Sequence, residues 1–161
     1  MSAHFAEGGC TCREIRYALR RAPIFVHCSH CTWCQRETGT AFALNAMIET
    51  TEVEMLAGKP ELVLTPSNSG KGQKIMRCPA CRIAVWSHYA SLGIKVAFVR
   101  VGTLDAPAML PPGVHIFTAS KQPWVAIPDG AESYGEFYRE ADRIRMFGPD
   151  GMARRKALLA A

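Results

Sequence analysis

The sequence predicts a single, mainly β domain of short strands and tight turns, closed by a helical tail. Three observations carry this expectation. Apolar residues come in short runs or in alternation, the two signatures of strands. Glycine, proline, asparagine and serine punctuate those runs at close intervals. All seven cysteines fall into three groups beside predicted strands: Cys10-Thr11-Cys12, Cys28-Ser29-His30-Cys31-Thr32-Trp33-Cys34 and Cys78-Pro79-Ala80-Cys81.

Taken in order, residues 13–19 alternate, with Ile15, Tyr17 and Leu19 on one side, and predict a half-buried strand that starts directly after Cys12. Pro23 ends a basic turn, and residues 24–28 predict a second strand running into the cysteine cluster. After a Glu37-Thr38-Gly39-Thr40 turn, the apolar run 42–48 predicts a buried strand. Residues 53–56 and 62–65 flank Gly58-Lys59-Pro60 and predict a hairpin-like pair. Residues 66–72 are the most flexible stretch by composition and predict a mobile hairpin loop, or one that closes over a site. Gly70-Lys71 is no phosphate-binding P-loop, because the earlier glycine is missing and Gly72 stands where Ser or Thr is needed.

Residues 73–77 and 83–86 predict strands entering and leaving the Cys78–Cys81 turn, the form of a zinc knuckle. Residues 95–101 and 115–118 predict further strands, and 119–124 an exposed, ordered loop. Helix signals are confined to the end. Ser133 and Glu136 form a capping box, and Phe137, Ala141 and Ile144 follow at helical spacing. Gly148-Pro149 stops that helix, and a second is expected over 152–159.

At 161 residues the chain is read as one domain, 1–161, able to bury a core of its own. Residues 1–9 have neither a basic start nor an apolar run, so no signal peptide is expected. No stretch reaches the roughly 18 apolar residues of a membrane span. A cytoplasmic location is therefore expected, where clustered cysteines point to metal or catalysis rather than disulfides. The formal charge of +5 suits a small anionic substrate, though an ordinary solvated surface also accounts for it. Arg139, Arg143 and Arg145, with Arg154, Arg155 and Lys156, fall on the tail helices as a solvated face. No basic stripe with interleaved aromatics is present, so a nucleic-acid partner is not expected.

Thiolates at such spacing are what zinc selects. Cys10, Cys12, Cys78 and Cys81 are read as one closed structural site, whose metal bonds outweigh the entropy of closing the long loop between the pairs. Cys31 and Cys34 also have ligand spacing and leave open coordination positions, as a catalytic zinc requires. Cys28, Ser29 and His30 are the candidates for a third ligand. In an extended segment Ser29 shares a side with Cys31, while Cys28 and His30 point the other way. Cys78-Pro79-Ala80-Cys81 also has the form of a redox dithiol, but that motif belongs at a strand-to-helix junction, and a strand is expected here. His4, His27, His88 and His115 stand alone and read as surface or satisfied core histidines. Arg36 is a candidate for holding an anionic substrate or for a salt bridge.

Gly9-Cys10-Thr11-Cys12, then the run from His30-Cys31-Thr32-Trp33-Cys34 to Gln35-Arg36-Glu37-Thr38-Gly39, then Cys78-Pro79-Ala80-Cys81, resembles the glutathione-dependent formaldehyde-activating enzyme family, also called the centromere protein V/GFA domain family. The resemblance covers about residues 8–127 and leaves a helical extension over about 133–160. Segments 66–74 and 115–124 resemble those of a bacterial subgroup.

The resemblance implies an Mss4-like β-tent of short antiparallel strands with two zinc sites. Cys10, Cys12, Cys78 and Cys81 match the structural ligands. Positions 29, 31 and 34 match the catalytic ligands, with Ser29 where the family pattern has cysteine and Cys28 one residue away. The implied activity is that of a carbon–sulfur lyase joining glutathione and formaldehyde to S-hydroxymethylglutathione, or acting on a related thiol adduct. Cys31 and Cys34 would be its working ligands and His30 a candidate proton donor. The rival expectation is a non-enzymatic, zinc-stabilised binding domain, and the least favoured is a thiol redox sensor built on Cys28, Cys31 and Cys34.

Overall fold

A computed structural model describes residues 4–161. Of the N-terminal segment read for a signal peptide, residues 1–3 lie outside the described residues. The strands are β1 (Ala6–Gly9), β2 (Arg16–Leu19), β3 (Phe25–Ser29), β4 (Ala43–Glu49), β5 (Val53–Ala57), β6 (Glu61–Thr65), β7 (Gln73–Arg77), β8 (Ala84–Tyr89), β9 (Val96–Arg100) and β10 (Val114–Ile116). The helices are α1 (Thr32–Thr38) and α2 (Glu140–Ala160). The expected mainly β architecture with a helical tail is what the chain adopts. No helix among the described residues is long and apolar enough to cross a membrane.

The strands form two sheets, β1-β2-β5 and β10-β3-β4-β9-β8-β7-β6. All pairings are antiparallel except β10 with β3, which run parallel. The alternation read in the sequence puts Tyr17 and Leu19 of the small sheet, with Ile15 just before β2, against Val26, Ala46, Ile48, Val85, Trp86 and Val99 of the large one. Burying that apolar surface is the main stabilising contribution. Tyr17 and Trp86 meet edge-on at 5.7 Å, and the Tyr17 hydroxyl hydrogen-bonds Thr103 Oγ1 at 2.6 Å.

The other face of the large sheet is covered by the C-terminal segment. There Ile24, Met47, Val96, Val114 and Ile116 pack with Tyr138 and Phe147. Phe147 stacks on Phe25 at 4.8 Å. Arg154 fixes the far end of α2 through Glu49, with N–O distances of 2.8 and 2.6 Å.

Four sequence expectations change. Helix signals are not confined to the end, because α1 forms inside the cysteine cluster. The Cys31 sulfur caps it by accepting the Cys34 N–H at 3.2 Å, and Gly39 ends it in the left-handed conformation (φ 68). Residues 53–65 form no hairpin: β5 pairs with β2 in the small sheet, and β6 with β7 in the large one. The chain crosses between sheets at Gly58 (φ 70), where an added Cβ would lie 2.2 Å from the Glu14 carbonyl oxygen.

Ser133 does not cap a helix. The chain there hydrogen-bonds along β10, Glu132 O accepting from His115 N and Tyr134 N donating to His115 O. The helix starts at Glu140, where the Asp142 carboxylate accepts the Arg139 backbone N–H at 3.3 Å. The stop at Gly148-Pro149 is a kink (Gly148 φ 66) that separates the two helical pieces of α2. Finally, β1 forms over Ala6–Gly9, where no strand is expected from the local pattern.

Candidate functional site

Cys10 follows β1 and Cys78 follows β7, so the ends of two different sheets meet here. Cys10 Sγ lies 3.4 Å from Cys12 Sγ, and Cys12 Sγ lies 3.6 Å from Cys78 Sγ. The four sulfurs of Cys10, Cys12, Cys78 and Cys81 all fall within 4.8 Å of one another. Zinc–sulfur bonds of about 2.3 Å in a tetrahedron put sulfurs about 3.8 Å apart, close to this arrangement. Backbone amides already point at the sulfurs: Ile15 N–H donates to Cys10 at 3.3 Å and Cys81 N–H to Cys78 at 3.5 Å. The Ile83 amide is foremost in holding the Cys81 thiol down to about 6. Donor type, number and spacing fit a closed metal site.

The middle cluster is divided by β3. Ser29 faces a cavity of about 590 Å³, and Cys31 and Cys34 open onto the same space. The Cys34 thiol donates to Ser29 Oγ at 3.3 Å. Its hydrogen bond to Cys31, with the amide of Cys34, holds the Cys31 thiol down to about 6 against the opposing effect of burial. Cys34 is pushed up by the same hydrogen bond and by burial. The pair is thus driven apart, Cys31 toward the thiolate and Cys34 toward the thiol. The strand-to-helix setting of a reactive dithiol belongs to this Cys-x-x-Cys, between β3 and α1, and not to Cys78 and Cys81, which join β7 and β8.

Cys28 and His30 point to the rear of β3, as alternation requires, and neither lines the cavity. The structure therefore brings Ser29, Cys31 and Cys34 together and leaves Cys28 and His30 apart from them. His30 is fully buried and lies 3.0 Å from His115, through Nε2 and Nδ1. Arg36 is exposed on α1 and does not line the cavity. His88, with Nδ1 2.7 Å from the Val96 carbonyl, is the satisfied core histidine expected. His27 and His115 are more than that, since His27 lines the cavity and His115 meets His30.

Sequence reasoning missed most of the cavity wall. Phe137, Tyr138, Arg143, Phe147 and Arg155 come from the C-terminal segment. Ser67, Asn68, Ser69 and Lys71 come from the flexible stretch, which does border a site. Buried Arg100 was also missed: it donates to Asn45 Oδ1 at 2.5 Å and Ser87 Oγ at 3.0 Å, and its positive charge favours the ionised form of Cys34. Apart from the flexible stretch, no local pattern marks the wall residues, because the tertiary fold alone brings them to one space. His27 Nε2 lies 2.6 Å from the Tyr138 hydroxyl, and burial pushes the imidazole down to about 4. That pair ties the cover to the sheet.

A family model described as "Glutathione-dependent formaldehyde-activating enzyme" matches residues 5–120. A comparison with curated proteins finds no match. Among solved structures, a Rhodobacter sphaeroides protein is similar at 20% identity, over 62% of this chain and 87% of that one, with a TM-score of 0.46.

Proposed function

The chain belongs to the glutathione-dependent formaldehyde-activating enzyme family, and from that premise we propose that it is a zinc-dependent carbon–sulfur lyase whose working residues are Cys31 and Cys34. Its substrate on this reading is a small anionic thiol adduct, S-hydroxymethylglutathione or a relative. The observation that carries the proposal is the Cys31–Cys34 pair opening onto a cavity walled by Lys71, Arg143 and Arg155. Four soft sulfur donors fit a structural zinc at Cys10, Cys12, Cys78 and Cys81. Two thiols and the Ser29 hydroxyl are a sparser donor set that fits an open site. A zinc ion held there would favour the thiolate form of the substrate.

The residues of the chain would divide the remaining work. Lys71, Arg143 and Arg155 attract the carboxylates of the thiol substrate, and the aromatic wall of Phe137, Tyr138 and Phe147 excludes water. In the synthetic direction the substrate sulfur bonds to the formaldehyde carbon, and the carbonyl π electrons move to oxygen. The alkoxide then takes a proton, completing the hydroxymethyl thioether. His30 faces away from the cavity, so we assign that proton to the Tyr138 hydroxyl, which lines it beside a neutral His27, and the proton shed by the substrate thiol restores Tyr138 and balances the step.

Exchange NMR on glutathione and formaldehyde tests the proposal. Zinc-loaded protein is expected to accelerate formation and breakdown of the adduct, and Cys34→Ser to abolish the acceleration. No acceleration by the loaded protein would overturn it. Ser29, in place of a third thiol, favours a second reading: a binding domain that keeps only the structural zinc. Saturable binding of the adduct with no change in its exchange rate would identify that case.

A further inference from the structure

We propose that Cys28, His30 and His115 form an additional, fully buried transition-metal site with one sulfur and two nitrogen donors. It lies behind β3, separate from both the four-cysteine cluster and the cavity. Cys28 and His115 are register partners across the parallel β3–β10 pair, and His30 follows the last residue of β3, still in line with it through its N–H bond to Ile116 O. Side chains two apart on a strand share a face, so the sheet itself brings the three together.

The distances suit coordination. Cys28 Sγ lies 3.7 Å from His30 Nε2, and His30 Nε2 lies 3.0 Å from His115 Nδ1. All three ligand atoms fall within 4.8 Å of one another. A tetrahedral zinc with bonds of about 2.1 Å to nitrogen and 2.3 Å to sulfur sets ligand atoms about 3.4–3.6 Å apart. Zinc, cobalt(II) and copper(I) all accept this donor set.

The surroundings ask for a partner of this kind. Cys28, His30 and His115 are 2%, 0% and 8% exposed. Leu44 stands opposite Cys28 in the register, and the Phe42 ring meets His30 edge-on at 5.6 Å. Polar groups buried in so apolar a place cost stability unless they satisfy one another. Two imidazole nitrogens 3.0 Å apart need a proton or a cation between them. His30 Nδ1 has no hydrogen-bond partner among the described residues, so its neighbours give the ring little other compensation.

The position of His30 is fixed from its backbone. Its N–H donates to Ile116 O at 2.9 Å, and its carbonyl accepts from Gln35 Nε2 at 2.8 Å and Ser120 Oγ at 3.0 Å. Holding ligands in place before the metal arrives lowers the cost of binding it.

Two measurements on the full chain test the site. In crystals of the wild-type protein loaded with zinc, anomalous scattering at the zinc edge is expected to show a peak within bonding distance of Cys28 Sγ, His30 Nε2 and His115 Nδ1. A peak at the four-cysteine cluster with none behind β3 would overturn the proposal. In a Cys31→Ser/Cys34→Ser background, which removes the cavity pair, two zinc ions per chain are expected, falling to one when His115→Asn is added. A count of one in the background, or of two after His115→Asn, would overturn it as well. The crystal measurement needs no variant, so a misfolded His115→Asn protein does not shield the idea.

Discussion

The closed cysteine cluster and the open pair use the same side chain to opposite ends. Cys10, Cys12, Cys78 and Cys81 come from two sheets and converge on one point, so a metal there ties distant parts of the chain. Cys31 and Cys34 come from a single turn of chain and face a cavity, so whatever they hold ties nothing together. Number and origin of ligands, more than residue type, separate a site that holds the fold from one free to do chemistry.

The largest effect is expected at the closed cluster. Structural zinc contributes on the order of 10 kcal/mol to folding in small domains, so Cys78→Ser or a strong chelator should abolish the cooperative thermal transition seen by circular dichroism. An unchanged midpoint would erase the contrast. At the open pair, Cys34→Ser should leave that midpoint within a few degrees while the adduct exchange rate falls by at least about 100-fold. A loss of fold instead would show that both sites are structural. Ser29→Cys should make the open pair more like the closed one, tightening its zinc by about 10- to 100-fold in competition with a chromophoric chelator.

The smallest effect concerns the cover of the cavity. Burial pushes the Glu49 carboxyl up, but the Arg154 guanidinium outweighs it and holds the group below its ordinary 4.5. A depressed carboxylate contributes stability above its unfolded pKa and loses it as pH falls through the lower, folded value. Glu49→Gln should therefore cost about 1.5 kcal/mol at pH 7 in urea unfolding and progressively less below pH 4.5. A cost that does not change with pH would mean the pair is not what anchors α2.

How much of this was legible in the sequence follows from the range of each signal. Alternation in β2 and the apolar runs in β3, β4 and β9 were readable because the pattern and the burial arise in the same few residues. The closed cluster was readable because both of its halves sit in tight turns of fixed spacing. The helix α1 was not: Thr32, Trp33, Cys34 and Thr38 are weak helix formers, and it stands on a sulfur cap that no propensity scale rewards. Gly58-Lys59-Pro60 looked like a hairpin turn because nothing local says that the next strand joins the other sheet. His115 and the cavity wall were missed for the same reason. Their neighbours lie far away in sequence, and only the docking of β10 and of the C-terminal segment brings them in.

The separation of 66 positions from Cys12 to Cys78 also imposes an order of events at birth. At roughly 5–20 residues per second on the ribosome, the first two thiols emerge several seconds before their partners. Through that interval they are exposed to oxidants and to stray ions. Any cell making this chain has to keep its early sulfurs reduced, or shielded by a carrier, until the second half arrives.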